Sequence, residues 1–323
     1  MQISSIFAAA AAALFSLAAA QPAPGECTGQ CWSHDPSLVR RDDGVYFRFE
    51  TGSLIGIWKG ADITGPWEYQ GPAIPDNSII DLPGRDDLWA PQVHKVGDGY
   101  ILYYSVSTFG SSDSAIGYAT SPTMEANTWT DHGATGVSSG ANTPYNAIDG
   151  ALIRDASSGA LSMVFGSFWN GINVVSMNDD GSAATGTPVN VVYNSTGAHS
   201  QEGPFIHARD GWYYLFFSHG QCCGLDTSPP AQGEEYKIYV CRSQSVTGPY
   251  VDQNGVNCLT NNGGTLVLAS HDNIYGPGHC GVMTDPRGTI LYYHYADRNS
   301  GVSDADYKFG WNTISWSGGW PAV

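Results

Sequence analysis

The sequence predicts an all-β protein: one domain, folded as a five-bladed β-propeller. Three observations lead to this prediction. Helical periodicity is nearly absent, 40 glycines and 12% aromatic residues accompany many short apolar runs, and one hairpin pattern recurs five times. A pair of β-sandwiches is the alternative, but such a pair does not require five similar hairpins.

Each copy of the pattern is a turn containing glycine, followed by a strand rich in Tyr, Phe and Ile. The copies are DDGVYFRFE (42–50), GDGYILYYS (97–105), SSGALSMVF (157–165), RDGWYYLFF (209–217) and PRGTILYYH (286–294). Their turn glycines, at 44, 99, 159, 211 and 288, lie 52 to 77 residues apart. This spacing suits one four-stranded blade with its loops. Short aromatic segments at 63–71, 126–133 and 246–252 predict outer strands.

The start of the chain predicts export from the cell. Residues 1–20 form an apolar run that ends in small residues, which is typical of a secretory signal peptide. A membrane anchor is the alternative, but the run is Ala-rich and short for a bilayer. Residues 21–323 would then form the propeller, which we expect to be a secreted, extracellular monomer.

Net charge and cysteine content limit the partners and substrates that the protein could have. A formal net charge of -17 argues against nucleic acid or an anionic membrane as partner, and a charged fraction of 13% favours a neutral substrate. Some of the seven cysteines should pair in a secreted protein. Cys241 and Cys258 could close a hairpin, whereas the adjacent Cys222 and Cys223 could bond to each other or to separate partners. Asn194 lies in an N-glycosylation acceptor, Asn-Ser-Thr.

An ionisable residue occupies a matched position in most of the repeats. Asp35 lies nine residues before its turn glycine, and the same offset gives Ala90, Glu202 and His279. Asp149 lies ten residues before the glycine of the third repeat. Because the inner strands of a propeller line its central channel, the first residues of these strands should converge at one end of the axis.

Three carboxyl groups at one mouth predict acid–base chemistry. Like charges repel and push the pKa values of the groups apart, so that one carboxyl can donate a proton while another accepts one. Taken singly, each acid could be a turn or cap residue. A metal site is the other alternative, although no HExxH or CxxC spacing supports catalytic zinc.

Aromatic residues near the same hairpins favour a sugar as ligand. Trp89, Phe109 and Trp169 lie at strand mouths or in loops, where their faces could stack on the C–H face of a sugar ring. Core packing is the alternative for each of them. Trp212 lies inside a strand and is predicted to belong to the core.

Six short motifs carry a resemblance that covers the chain after residue 20. In order, they are HDPSL, LWAPQV, NAIDGA, GSFWNGI, SQEGPFI and YGPGH. Together they resemble glycoside hydrolase family 43, and within it the fungal endo-1,5-α-L-arabinanases. The resemblance implies a five-bladed propeller that cleaves internal 1,5-α-L-arabinofuranosyl linkages of arabinan, a pectin side chain, with inversion.

The resemblance also implies roles for the matched residues. Asp35 matches the general base, Glu202 the general acid and Asp149 a carboxylate that orients the acid and adjusts its pKa. His279 matches a histidine near a channel ion, often calcium held with water. Trp89, Phe109, Ser167 and Trp169 are the predicted substrate-binding residues.

Alternatives to an endo-arabinanase remain open at this stage. The sequence shows no added sandwich domain of the kind that closes the pocket of some xylosidase-type relatives, which favours an open groove. An exo-acting arabinanase or a β-xylosidase of the same family is the nearest alternative. A non-catalytic carbohydrate-binding propeller would keep the aromatic residues but would not need the three acids.

Overall fold

The computed structural model describes residues 21–323, so the predicted signal peptide lies outside the described residues. Within this range the chain forms 21 β-strands and one short 3-10 helix, Asp304–Asp306. The long sheets are five antiparallel blades, as the sequence predicts. No helix in the described part of the chain is long and apolar enough to cross a membrane.

Each of the first four blades contains four strands in sequence order. Blade 1 consists of β1 (Ser37–Arg40), β2 (Tyr46–Glu50), β3 (Gly56–Gly60) and β4 (Glu68–Pro72). Blade 2 consists of β5 (Trp89–Val96), β6 (Gly99–Val106), β7 (Ser114–Ser121) and β8 (Thr130–Ser139). Blade 3 consists of β9 (Ala151–Arg154), β10 (Leu161–Phe165), β11 (Ile172–Ser176) and β12 (Val189–Val192). Blade 4 consists of β13 (Gln201–Arg209), β14 (Trp212–His219), β15 (Lys237–Ser243) and β16 (Thr265–Leu268).

Blade 5 has three strands of its own and is completed by the beginning of the described chain. Its strands are β17 (Ile274–Asp285), β18 (Gly288–Asp297) and β19 (Lys308–Thr313), and a hairpin of β20 (Ser315–Ser317) and β21 (Trp320–Ala322) follows. Trp32 forms an antiparallel bridge with Lys308. The Phe309 N–H donates to the Cys31 carbonyl at 2.9 Å, and the Gly25 N–H donates to the Trp311 carbonyl at 2.7 Å. Residues 25–32 therefore close the ring.

The repeated hairpins form the inner part of each blade. Their strands are largely buried, and all five residues of β2 are buried. Four of the predicted turn glycines have positive φ, but in the second repeat Gly97 adopts it (59°) in place of Gly99. Glycine suits this backbone because it has no Cβ to clash there. The prediction was therefore wrong by two residues at that turn.

Candidate active site

The propeller gathers the predicted ionisable residues at one end of its channel. Asp35, Asp149 and Glu202 stand at the beginning of an inner strand or just before it, His279 lies midway along β17, and all four are buried. The imidazole Nδ1 of His279 lies 3.2 Å from a carboxylate oxygen of Asp35. The Gly203 N–H, next to Glu202, donates to Asp149 at 3.0 Å. Residues from four blades therefore form one cluster.

The backbone adopts the same unusual conformation at the matched positions. The φ angle is 50° at Asp35, 48° at Ala90, 61° at Asp149 and 45° at His279. Such left-handed backbone is uncommon for residues other than glycine. In blade 4 the left-handed conformation occurs at Gly203 (φ 58°), directly after Glu202. Backbone strain of this kind persists where the surrounding structure enforces it, and it is often found at functional sites.

Each strained residue is held by the blade that precedes it. A side chain near the end of that blade's second strand, or just beyond it, binds the residue, and we call this contact the inter-blade clasp. Three clasps join a backbone N–H to a hydroxyl oxygen: Ala90 to Thr51 at 2.7 Å, Asp149 to Ser105 at 3.0 Å and His279 to Ser218 at 2.7 Å.

The other two clasps, at Glu202 and Asp35, differ from this pattern in the group that is bound or in the group that binds it. Ser167 donates its hydroxyl to the Glu202 carboxylate at 2.5 Å, so this clasp binds a side chain in place of an N–H. The Asp35 N–H donates to Nδ1 of His294 at 2.9 Å, which places the proton of a neutral His294 on Nε2. The substrate role predicted for Ser167 stays a prediction, since the structure places its hydroxyl on the acid.

The surroundings of Asp35 favour its ionised form. His34 Nδ1 and His279 Nδ1 lie 3.0 Å and 3.2 Å from its carboxylate oxygens, and Thr51 donates its hydroxyl at 2.6 Å. Burial alone would raise the pKa of Asp35, but His279 and His34 outweigh it and hold this pKa well below its ordinary value. Asp35 is therefore suited to accept a proton.

The opposite holds for Glu202 and Asp149, which are buried together. Burial raises the pKa of Glu202, against the effect of hydrogen bonds from Ser167 and Tyr236, both at 2.5 Å. Burial and the charge of Glu202 raise the pKa of Asp149 well above its ordinary value. The two carboxyls can thus retain a proton between them. The Ser167 hydroxyl can accept as well as donate, so its contact survives protonation of Glu202.

Three of the predicted aromatic residues lie at the same end of the propeller. Trp89 opens β5 directly before Ala90, Phe109 is 88% exposed in the β6–β7 loop, and Trp169 is 37% exposed in the loop after β10. The structure leaves these side chains available for stacking on a sugar. Trp212 begins β14 at the opposite end and packs partly against the core, with Arg242 over its ring at 4.2 Å.

His34 and its neighbours are part of the site that sequence reasoning missed. The His34 ring stacks on Tyr307, with centroids 5.3 Å apart. Cys222 and Cys223 are bonded to each other, and Cys223 Sγ lies 3.9 Å from His34 Nε2. Tyr307 donates its hydroxyl to the Cys222 carbonyl. The vicinal disulfide, one of the two possibilities for these cysteines, therefore borders the cluster.

The remaining cysteines lie away from the acids. Cys241 and Cys258 are bonded to each other, the pairing that the sequence allowed, and Cys27 pairs with Cys31 in the segment that completes blade 5. Cys280 is buried and has no disulfide partner within residues 21–323. Because the chain has seven cysteines, three disulfides leave one free thiol, that of Cys280.

Asn194, the predicted glycan acceptor, is buried. Its side chain is 4% exposed, and its Nδ2 lies 3.1 Å from Nε2 of His219. A glycan on Nδ2 would displace this contact. Glycosylation at Asn194 stays a prediction, and the burial of the acceptor nitrogen argues against it.

Few side chains of the described residues could coordinate the predicted ion near His279. Nδ1 of His279 lies 3.2 Å from one oxygen of Asp35, and among the described residues the cluster of possible metal ligands that includes Asp35 consists of His34, Asp35 and His294. Calcium prefers six to eight oxygen ligands. The residues therefore fit a hard ion only if water supplies most of its ligands.

Comparisons with known proteins agree with this geometry. The profile of "Glycosyl hydrolases family 43" matches residues 29–321. The chain is 54% identical to a probable arabinan endo-1,5-alpha-L-arabinosidase A of Aspergillus fumigatus over 99% of both chains. It is 55% identical to arabinan endo-1,5-alpha-L-arabinosidase A of Aspergillus aculeatus over 93% of both.

Solved structures show the same fold. An endo-arabinanase from Bacillus licheniformis superposes with a TM-score of 0.80 at 31% identity, covering 92% of this chain and 99% of that one. A Cellvibrio cellulosa alpha-L-arabinanase complexed with arabinohexaose gives a TM-score of 0.79 at 29% identity, covering 90% and 95%. These matches confirm the predicted propeller.

Proposed function

The chain belongs to glycosyl hydrolase family 43, and on that premise we propose that it hydrolyses internal 1,5-α-L-arabinofuranosyl linkages of arabinan with inversion. One observation carries the proposal from family to mechanism. A carboxylate of lowered pKa, Asp35, shares the channel mouth with a carboxyl pair of raised pKa, Glu202 and Asp149. We infer arabinan as the substrate from the names of relatives that are more than 50% identical to this chain.

Glu202 acts as the general acid. It enters the reaction protonated and donates this proton to the oxygen of the leaving sugar. Ser167 and Tyr236 fix both carboxyl oxygens, so the carboxyl group cannot rotate freely. Once the proton has left, both hydroxyls donate to the new carboxylate and stabilise it.

Asp35 acts as the general base. Its lowered pKa keeps it ionised, and it removes a proton from a water on the opposite face of the sugar ring. Attack by this water gives a product of inverted anomeric configuration. An inverting enzyme needs room for the water, and its two carboxyl groups are typically about 6.5–9.5 Å apart.

Asp149 positions the acid and holds its proton. Its carboxylate accepts the Gly203 N–H and so fixes the backbone directly after Glu202. While either carboxyl of this pair is ionised, its charge opposes ionisation of the other, so the pair keeps one proton to a higher pH than a lone carboxyl would.

A hydrolysis assay tests the function. We expect the enzyme to release new reducing ends from debranched arabinan and to shorten the polymer quickly, with xylan as the negative control. NMR of the first products should show the β-anomer. Release of a single short product without early shortening would indicate exo action, and absence of hydrolysis would contradict the proposal and favour a binding propeller.

We also propose that a calcium-like ion lies near His279 and is bound largely through water. Such an ion would supply positive charge close to Asp35. Dialysis against a chelator should lower activity, and added calcium should restore it. Metal analysis that finds no ion, with activity unchanged by the chelator, would leave His279 as a hydrogen-bonding neighbour of the base.

Extracellular action completes the proposal, since arabinan belongs to the plant cell wall. The predicted signal peptide and the disulfides support secretion. Recovery of activity from the culture medium of the producing cells, with the mature protein starting after residue 20, would test it.

A further inference from the structure

Blade 1 buries two charged residues where the other repeats have none. Arg48 and Glu50 lie four and six residues after the turn glycine Gly44, in strand β2, and all five residues of this strand are buried. No acidic residue stands six positions after the other turn glycines. The residues four positions after them are uncharged: Tyr103, Met163, Leu215 and Tyr292. The repeated hairpin therefore does not require these charges.

Arg48 and Glu50 form an ion pair with no access to solvent, since both side chains are fully buried. Burial raises the pKa of Glu50 to about 7, although Arg48 opposes this shift, and burial lowers the pKa of Arg48. A buried ion pair is often no more stabilising than apolar side chains of similar volume. Stability alone thus gives little reason for the two charges, and their contacts indicate a further role.

Aromatic rings and the segment that completes blade 5 hold the guanidinium of Arg48. The rings of Trp67 and Phe309 each have their centroid 4.8 Å from the guanidinium carbon. Nη2 donates to the carbonyl oxygens of Gln30 and Trp32 at 2.8 Å and 3.0 Å. Arg48 therefore joins the closing segment to blade 1 and has little freedom to move.

Glu50 binds the peptide that leads into the catalytic base. Its Oε2 accepts the His34 N–H at 2.7 Å. Thr51, the next residue along the chain, donates its N–H to the His34 carbonyl at 2.9 Å. Both polar groups of the His34 backbone are thus held by neighbouring residues of blade 1. Asp35, with its strained φ of 50°, follows directly, so its place depends on this support.

We propose that Glu50 is a positioning residue for the base: held by Arg48, it fixes the backbone at His34 and thereby directs the carboxylate of Asp35 toward the attacking water. This inference rests on the proposed function. A catalytic group misplaced by about 1 Å can lower the rate about 10²-fold. Because Glu50 is fully buried and acts through Asp35, it contributes to kcat and not to KM.

Two double variants that differ in one acceptor atom test this role. Arg48→Met/Glu50→Gln removes both charges but keeps a side-chain oxygen that can accept the His34 N–H. Arg48→Met/Glu50→Met has side chains of similar shape and no such acceptor. Both lose the contacts of Arg48 equally. We expect kcat on debranched arabinan to be about tenfold lower in the second variant than in the first, part of the loss that a displacement of about 1 Å causes, with equal KM values.

The same two double variants in an Asp35→Ala background separate positioning from a general loosening of the fold. With azide as the nucleophile this background has no base to position, so the two forms should give equal azide turnover. A purely structural role of Glu50 would instead lower azide turnover in the form that carries Glu50→Met, and that result would overturn the proposal.

Asp285→Asn is the matched control. Asp285 is also a buried carboxylate beside an arginine, Arg287, at 3.2 Å, but it lies at the other end of strand β17 from the catalytic cluster. Its substitution should lower the melting temperature and leave kcat and KM on arabinan unchanged.

Equal kcat in the two double variants would overturn the role of Glu50. If Arg48→Met/Glu50→Met does not fold, Glu50→Asp tests the same contact, because it keeps the charge beside Arg48 while its side chain is one methylene shorter toward the His34 N–H. Lower kcat with unchanged KM would support the role, and wild-type kcat would overturn it. Failure of the wild type to hydrolyse arabinan would overturn the proposed function, and with it the base that Glu50 is proposed to position.

Discussion

Blades 1 and 2 present the same backbone to the channel but different chemistry. Asp35 and Ala90 have φ angles of 50° and 48°, and each is held by a side chain of the preceding blade. Asp35 carries the carboxylate at the centre of the cluster, whereas Ala90 carries a methyl group. The difference shows that the propeller makes five equivalent places at its mouth, and that the residue type decides which of them are chemically active.

The side chains that surround Asp35 also differ from those that surround Ala90. Asp35 is surrounded by three imidazoles and the Thr51 hydroxyl, and His34, His279 and this hydroxyl offset the cost of burying a charge. Thr51 also accepts the Ala90 N–H, so it serves both blades. A carboxylate placed at Ala90 would lack the imidazoles. A position at the channel mouth is therefore necessary for the chemistry but does not suffice.

Asp35→Ala makes blade 1 resemble blade 2 and should have the largest effect. Loss of the base should lower kcat by at least about 10²–10⁴-fold on arabinan, because inversion offers no covalent route around it. Azide should restore turnover by replacing the activated water and should give the β-arabinosyl azide. An unchanged melting temperature would confirm that the fold survives, and wild-type kcat would refute the assignment of the base.

Glu202→Ala extends the comparison to blade 4. We expect a loss of about 10²–10⁴-fold on polymeric arabinan, since the leaving oxygen no longer receives a proton. Aryl arabinosides with acidic leaving groups need little protonation, and their kcat should recover in part. Azide should have no such effect in this variant, which separates the acid from the base. Full activity on arabinan would mean that another residue is the acid.

Asp149→Asn should have a smaller effect and a distinct pH signature. An amide cannot carry a negative charge beside Glu202 or share a proton with it as the carboxyl of Asp149 can, so we expect the pKa of Glu202 to fall. Because the acid must be protonated to work, the basic limb of the pH profile should move to lower pH, and much of the activity at neutral pH should disappear. The acid limb, which reports Asp35, should stay in place. A profile merely scaled down would contradict this role.

Ala90→Gly should have the smallest effect. Glycine adopts a φ of 48° without strain, so the free energy of unfolding should rise by up to about 1 kcal/mol, less the entropy that glycine costs. Activity on arabinan should not change, because Ala90 contributes no reacting group. Thermal melting and kcat measure the two effects. A large loss of activity would show that the methyl group contacts the substrate.

The sequence predicted the residues that follow the repeat and missed those that do not. Asp35, Asp149, Glu202 and His279 could be found because each has a nearly fixed offset from a turn glycine. The prediction of the propeller and of its family was confirmed, and the catalytic roles remain predictions.

The inter-blade clasps were missed although they too follow the repeat. Their residues lie six to eight positions after the same glycines: Thr51, Ser105, Ser167, Ser218 and His294. Serine and threonine are common at strand ends, so the pattern has little weight until the blades are assembled. His34 and Tyr236 follow no repeat. His34 is the chain neighbour of Asp35, and Tyr236 contacts Glu202 within blade 4, from the position directly before β15.

The closure of blade 5 ties the two ends of the described chain together. Residues 25–32 lie along β19, so the earliest part of this region to be synthesised pairs with one of the last. Four blades can assemble while the nascent chain is still growing, but the ring cannot shut until β19 has been translated. During that interval the N-terminal segment lacks its pairing strand. Because Asp35 follows this segment directly and binds His294 of blade 5, the catalytic base reaches its final place only when synthesis is nearly complete.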